Sequence, residues 1–340
     1  MIFIDACLRK PTPYAPVWLM RQAGRYLSQY RETRAKAADF IDFCRRPDLA
    51  AEATLQPIDI LGVDAAILFS DILVVPLEMG MEVEFIKDRG PVLPCPVRTA
   101  NDVEQLSSNA PDNLGYVYEA VRLIRSKLAQ DKALIGFAGS PWTLATYMVE
   151  GQGSKNYAVI KQMAYANPAL LHALLAKIAA CVSAYLIGQI RAGANAVQLF
   201  DSWGGALEQS AFMEFSWHYL LVIASEIKRE FPTIPIILFS KGAGGYLESI
   251  GGEFDVFGVD WNTPLARAKA ALFDRYALQG NMEPMRLYSQ EATRQGVEDI
   301  FKVIGKENGF IFNLGHGMQP DFSLENTKYL VDLVHTISAR

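Results

Sequence analysis

Residues 167–201 read NPALLHALLAKIAACVSAYLIGQIRAGANAVQLFD, and their pattern decides the fold. Asn167 can cap a helix, and Pro168 suits the first helical position, where no N–H is needed. Leu171, Leu174, Ile178, Val182 and Tyr185 then recur every three or four residues, which predicts an amphipathic helix over 168–191. Gly193 closes it, and the short β-rich run at 195–200 follows at once. A helix that feeds directly into a short apolar strand is one step of an α/β unit.

The same step recurs along the 340 residues. Strands are predicted at 16–20, 65–70, 133–138, 195–200, 234–239, 255–259, 276–280 and 308–313, with helical patterns between them. Eight alternating units predict parallel strands with crossover helices, closed as a single (β/α)8 barrel of the TIM type. No Pro-, Gly- or Ser-rich linker divides the chain, so residues 1–340 are expected to form one domain, with 1–14 as an N-terminal extension. A doubly wound dinucleotide fold would place G-x-G-x-x-G after the first strand, and RQAGRY at 21–26 does not match it.

Composition narrows the function. A net charge of −5 and a pI near 5.5 argue against general nucleic-acid binding, so an anionic ligand has to be met by local arginines. Cys7, Cys44, Cys95 and Cys181 are far apart and have no metal-ligand spacing to a histidine, which suggests reduced thiols and no metal. The N-terminus lacks the pattern of a signal peptide. The most apolar helix, at 169–190, includes His172, Lys177 and Gln189, a poor composition for a membrane span. A soluble cytoplasmic protein is expected.

Polar residues stand at the end of every predicted strand: Arg21, Ser70-Asp71, Ser140, Asp201-Ser202, Ser240-Lys241, Asp260, Asn281 and His316. A barrel brings all these ends to one face, where the active site is expected. On the residues alone, Arg21 and Arg25 suit either carboxylate recognition or a solvent-facing ion-pair role. Ser70-Asp71 suits either a ligand or a helix cap. The glycine-rich SKGAGG at 240–245 lacks the spacing of a phosphate-cradling loop. His172, His218 and His335 fall within helical patterns and are assigned no role.

Six motifs resemble the uroporphyrinogen decarboxylase family: PVWLMRQAGRYL at 16–27, FSDIL at 69–73, GSPWTLATYMVEG at 139–151, LFDSWGG at 199–205, LQGNMEP at 278–284 and NLGHG at 313–317. They run in the family's order over nearly the whole chain. The resemblance implies a lyase of porphyrin and haem biosynthesis, which removes the four acetate carboxylates of uroporphyrinogen III as CO2 to give coproporphyrinogen III. It also implies that no metal or organic cofactor is used, that the protein is a homodimer, and that the partner is a small tetrapyrrole rather than nucleic acid or membrane.

The resemblance further implies site residues. Arg21 and Arg25, with Gln22, Ala23 and Gly24 in the turn between them, would meet the octa-anionic substrate, because a guanidinium holds a carboxylate bidentately. Asp71 would accept the pyrrole N–H groups and stabilise the positive charge that develops when a ring is protonated. Tyr147 would hydrogen-bond Asp71 or the substrate, and Ser202 and His316 would hold side-chain carboxylates. The catalytic set implied is Asp71, Arg21 and Tyr147. Ser28, Gln29 and Gln152 depart from the family pattern without falling on a residue assigned to chemistry. Two alternatives remain open: a zinc- or cobalamin-linked methyltransferase relative, and a non-catalytic tetrapyrrole-binding barrel.

Overall fold

The computed structural model describes residues 1–86 and 90–340. Its strands are β1 (Ala65–Ile67), β2 (Glu84–Ile86), β3 (Gly90–Val92), β4 (Ala133–Gly139), β5 (Ala196–Asp201), β6 (Ile236–Ser240), β7 (Val256–Gly258), β8 (Ala277–Met282) and β9 (Phe310–Leu314). Seven of them form one parallel sheet in the order β1-β4-β5-β6-β7-β8-β9. The remaining two, β2 and β3, form a separate antiparallel pair that the sequence pattern does not predict.

The helix predicted at 168–191 spans Pro168–Ala192, with the Asn167 side chain accepting from the Leu170 N–H and Gly193 at the C-cap. It is long and apolar enough to cross a membrane by composition, yet just over half of its most apolar window is buried inside the protein, against strands and neighbouring helices.

The predicted strand at 16–20 is reduced to a single parallel bridge, Val17 to Phe312, beside β9. On its other flank a side chain shares the pairing with the backbone. The Asp64 carboxylate accepts the Val17 N–H at 2.9 Å, while the Asp64 N–H donates to the Val17 carbonyl at 2.8 Å. Back on the β9 side, Asn313 Oδ1 accepts the Met20 N–H at 3.0 Å. Pro16 has no N–H to contribute and Arg21 turns the chain at φ +62°, so few residues remain to form regular pairing. The segment nevertheless occupies the gap between β9 and β1 and closes the ring.

Residues 2–7, part of the expected N-terminal extension, form a helix with a definite place. Phe3, Ala6 and Cys7 share a buried cluster with Ala65, Ala133, Ala196, Val256 and Ala277, which open or lie near the start of their strands. The helix therefore seals the N-terminal end of the barrel. Higher in the lumen, Trp18 Nε1 donates to Gln279 at 2.8 Å and Gln279 donates to Gln198 at 3.1 Å. The opposite end of the barrel is left for chemistry.

Candidate active site

The arginine turn is built on its glutamine. Gln22 is 1 % exposed. Its Oε1 accepts the Leu19 N–H at 3.1 Å, its Nε2 donates to the Ala65 carbonyl at 3.1 Å, and its own carbonyl accepts the Tyr26 hydroxyl at 2.7 Å. The Gln22 side chain thus holds the turn onto β1 and fixes the backbone between the two arginines. Ala23 packs against the core, and Gly24 brings its Cα close to the Arg21 carbonyl, where an added Cβ would lie 3.2 Å away.

Arg21 and Arg25 are both exposed. Neither guanidinium has a hydrogen bond or ion pair among the described residues. The Arg21 side chain crosses from its own loop to the loop after β9 and lies directly over Gly317. It thereby reaches the neighbourhood of His316.

Asp71 follows β1 and is partly buried. One carboxylate oxygen accepts the Leu73 N–H at 2.8 Å. This is a local turn contact and not a cap of the helix Val74–Glu78, whose N-cap is Leu73. The other oxygen has no protein donor among the described residues. Burial raises the carboxyl's pKa, while the Leu73 N–H and the positive charge of Arg21 pull it down.

Tyr147 projects from the helix Pro141–Glu150, which Ser140 caps. Its ring packs on Trp203 with centroids 4.2 Å apart. Burial pushes the phenol up to about 12, the Asp71 charge adds to that rise and the Arg21 charge opposes it. Tyr147, Asp71 and Arg21 are thus within electrostatic reach of one another. Of the two expected partners, Asp71 or the substrate, Asp71 is not hydrogen-bonded to Tyr147, whose hydroxyl has no partner among the described residues. Ser202, half-buried just past β5, also has a hydroxyl without a partner among the described residues.

His316 lies between Phe239, with ring centroids 6.2 Å apart, and Trp261, 5.9 Å away. Burial, then Arg21, then Lys241 lower its pKa to about 4, so the imidazole is uncharged at neutral pH. It can donate a hydrogen bond to a carboxylate, but it brings no charge.

Two of the strand-end residues to which the sequence assigns no role organise this face. Asp201, fully buried at the end of β5, accepts four hydroxyls: Ser140 at 2.7 Å and Thr143 at 3.0 Å on one oxygen, Ser216 at 2.7 Å and Ser240 at 2.8 Å on the other. Burial raises its pKa, and the four hydroxyls oppose the rise. Gly204 packs so closely here that an added Cβ would sit 2.1 Å from Asp201 Oδ2. The DSWGG motif, with serines on neighbouring elements, was the available signal. The second is Lys241, whose position at a strand end was visible although its glycine-rich surroundings invited dismissal.

A barrel whose open end gathers unpaired guanidinium groups, a half-claimed carboxylate and neutral hydrogen-bond donors defines the class: an enzyme acting on a multiply carboxylated substrate. The comparisons narrow it further. Residues 2–337 match the family model described as uroporphyrinogen decarboxylase (URO-D). The chain is 60 % identical over its full length, and over the full length of the relative, to a uroporphyrinogen decarboxylase of Nitratiruptor sp.. It is 58 % identical to one of Wolinella succinogenes with the same complete coverage. Among solved structures, a methyltransferase from Methanosarcina mazei superposes with a TM-score of 0.77 at 20 % identity, covering 98 % of this chain and 97 % of that one. That likeness is one of fold. The chain belongs to the uroporphyrinogen decarboxylase family and is a carboxy-lyase of tetrapyrrole biosynthesis. Among the described residues no three His, Cys, Asp or Glu side chains converge as a metal site.

Proposed function

We propose that Asp71, Arg21 and Tyr147 carry out the decarboxylation of the four acetate arms of uroporphyrinogen III, without metal or organic cofactor. The observation that carries this reading is the Asp71 carboxylate: partly buried, bound to protein through one oxygen only, and faced by the Arg21 charge. Arg21 and Arg25 hold substrate carboxylates, the Gln22-Ala23-Gly24 turn between them lies against the substrate, and Ser202 and neutral His316 donate hydrogen bonds to further arms. The free oxygen of Asp71 accepts pyrrole N–H groups.

The chemistry requires an electron sink. Protonation of a pyrrole ring carbon gives an iminium-like cation beside Asp71, whose negative charge stabilises it in a site of low dielectric. The C–C bond to the carboxylate then breaks, CO2 leaves, and its bonding pair flows into the ring. The exocyclic methylene carbon takes up a proton to become methyl, and the ring proton is lost. Each cycle consumes one proton and releases one CO2. The ordinary arginine pKa disfavours proton donation, so Arg21 serves first as a binder, with delivery of the proton through it as the secondary role.

The protein acts as one barrel domain, cytoplasmic and homodimeric, with neither nucleic acid nor membrane as partner. Anaerobic incubation with uroporphyrinogen III plus chelator, followed by chromatography of the oxidised products, tests the chemistry. Seven-, six-, five- and four-carboxylate porphyrins should appear, and Asp71→Ala should abolish them. Unchanged eight-carboxylate material from folded wild-type protein would sink the reading, and a monomer in sedimentation would remove the dimer.

A further inference from the structure

Lys241 stands at the same rim as the site residues and belongs to none of the roles above. Its backbone is fixed from both sides. The Lys241 N–H donates to the Asp201 carbonyl at 3.0 Å, and its own carbonyl accepts the Gly205 N–H at 2.9 Å. Gly205 and Gly242 are pressed together, since a Cβ on Gly205 would lie 2.6 Å from the Gly242 Cα. Gly242 adopts φ +83°, a conformation that favours glycine, and its N–H donates to the Asp260 carboxylate. Asp260 in turn accepts the Thr263 N–H at 3.0 Å and the Thr263 hydroxyl at 2.6 Å. The turn that begins with Lys241 is therefore tied to the buried hydroxyl cluster of Asp201 on one flank and to Asp260 on the other.

The side chain is left without an acid. Lys241 Nζ lies 5.0 Å from the Trp261 ring centre, and no carboxylate among the described residues pairs with it. Trp261 continues to His316, and the loop of His316 continues through Gly317 to Arg21. The result is an arc along the rim with a cation at each end and an uncharged imidazole between them. A cation of fixed backbone position, resting on an aromatic face, is preorganised for an anion, because little freedom remains to be lost on binding.

We propose that Lys241 is a specificity-determining anchor that binds a side-chain carboxylate of the substrate on the rim opposite the Arg21–Arg25 turn, holding the macrocycle across the mouth. SKGAGG is on this reading a carboxylate-binding turn. The inference rests on the porphyrinogen reading of the site. It predicts that Lys241 matters for binding more than for the chemical step, since the carboxylate it holds is not the one being lost.

The test compares wild type, Lys241→Met and Lys241→Arg for kcat and KM with uroporphyrinogen III, and for binding of the four-carboxylate coproporphyrin by fluorescence quenching. Losing a hydrogen bond between charged groups should raise KM about tenfold to a hundredfold, with kcat changed far less. Coproporphyrin binding should weaken in parallel, and Lys241→Arg should restore most of both. If methionine disturbs folding as judged by circular dichroism, Lys241→Gln takes its place with the same expectation. A neutral variant with wild-type KM, or one in which only kcat falls, overturns the anchor. Absence of turnover in wild type itself would instead overturn the decarboxylase reading, so the two failures are distinct.

Discussion

The Arg21 side chain lies so close over Gly317 that a Cβ added there would be 2.4 Å from Arg21 Cδ and 2.8 Å from its Cγ. Gly317→Ala should therefore move Arg21 rather than the backbone, because the obstructing atoms belong to a flexible side chain. Stability should change by less than about 1 kcal/mol, whereas kcat/KM should fall about tenfold or more as the guanidinium loses its position. Thermal melts and steady-state kinetics on the same preparation would check both halves. A variant with unaltered kinetics would show that Arg21 does not work from this side of the mouth.

Asp71 should be a residue that costs stability where it serves activity. Its folded-state pKa is raised, chiefly by burial. Between the unfolded value of about 4 and the folded value, the native state binds more protons than the unfolded state, so stability declines as pH rises through that window. Above it the full cost of the buried charge remains. Asp71→Asn keeps an acceptor for the Leu73 N–H and removes the charge. It should match or exceed wild type in stability at neutral pH while losing nearly all turnover. In wild type, kcat should fall on acidification as Asp71 takes up its proton. A destabilised but active Asp71→Asn protein would contradict the assignment.

The barrel was legible because seven of its strands announce themselves as short apolar runs between long helical periods, and their bounds differ from the expected ones by three residues or fewer. The strand at 16–20 was half-legible for a physical reason. Its short backbone pairing is completed by the side chains of Asp64 and Asn313, which strand periodicity does not register. The sealing helix at 2–7 and the β2–β3 pair were not read, being too short for a period to show. In the site, the strand-end location of the charged and hydroxyl residues follows from position, whereas their roles follow only from the family resemblance. The anchoring of the Gln22 side chain to Leu19 and Ala65 is a tertiary feature that its place between two arginines does not reveal. His335 was given no role, yet its Nε2 meets the Asp64 carboxylate at 2.8 Å.

That contact makes Asp64 the clasp of the barrel. Besides His335 and the Val17 N–H, the carboxylate accepts the Tyr14 hydroxyl at 3.1 Å and faces Lys132 at 3.5 Å. Burial alone would raise its pKa, but His335, the Val17 N–H and the Lys132 charge outweigh burial and lower it. The stability it contributes is thus present above the unfolded value near 4 and is lost as pH falls through the depressed folded value. Asp64→Asn should cost about 2–3 kcal/mol, less than a fully enclosed ion pair because His335 and Lys132 are partly exposed. The gap from wild type should narrow below pH 4, and chemical denaturation across that range would show it. A constant gap at all pH values would mean that shape, not charge, holds the clasp.

Tyr147 offers the cleanest separation of structure from chemistry. Its ring is held by Trp203 and by the packed helix Pro141–Glu150, and these contacts survive in phenylalanine. Its hydroxyl bonds to nothing among the described residues, so Tyr147→Phe should leave stability within about 0.5 kcal/mol of wild type. The phenol, with its pKa near 12, stays protonated at any working pH and can only donate or share a hydrogen bond. Its contribution then appears when substrate or the developing ring cation meets Asp71. Removing it should lower kcat about tenfold with little change in KM, since the lost interaction forms only as the reaction proceeds. A rise in KM at constant kcat would instead make Tyr147 a ground-state contact and leave Asp71 and Arg21 as the working pair.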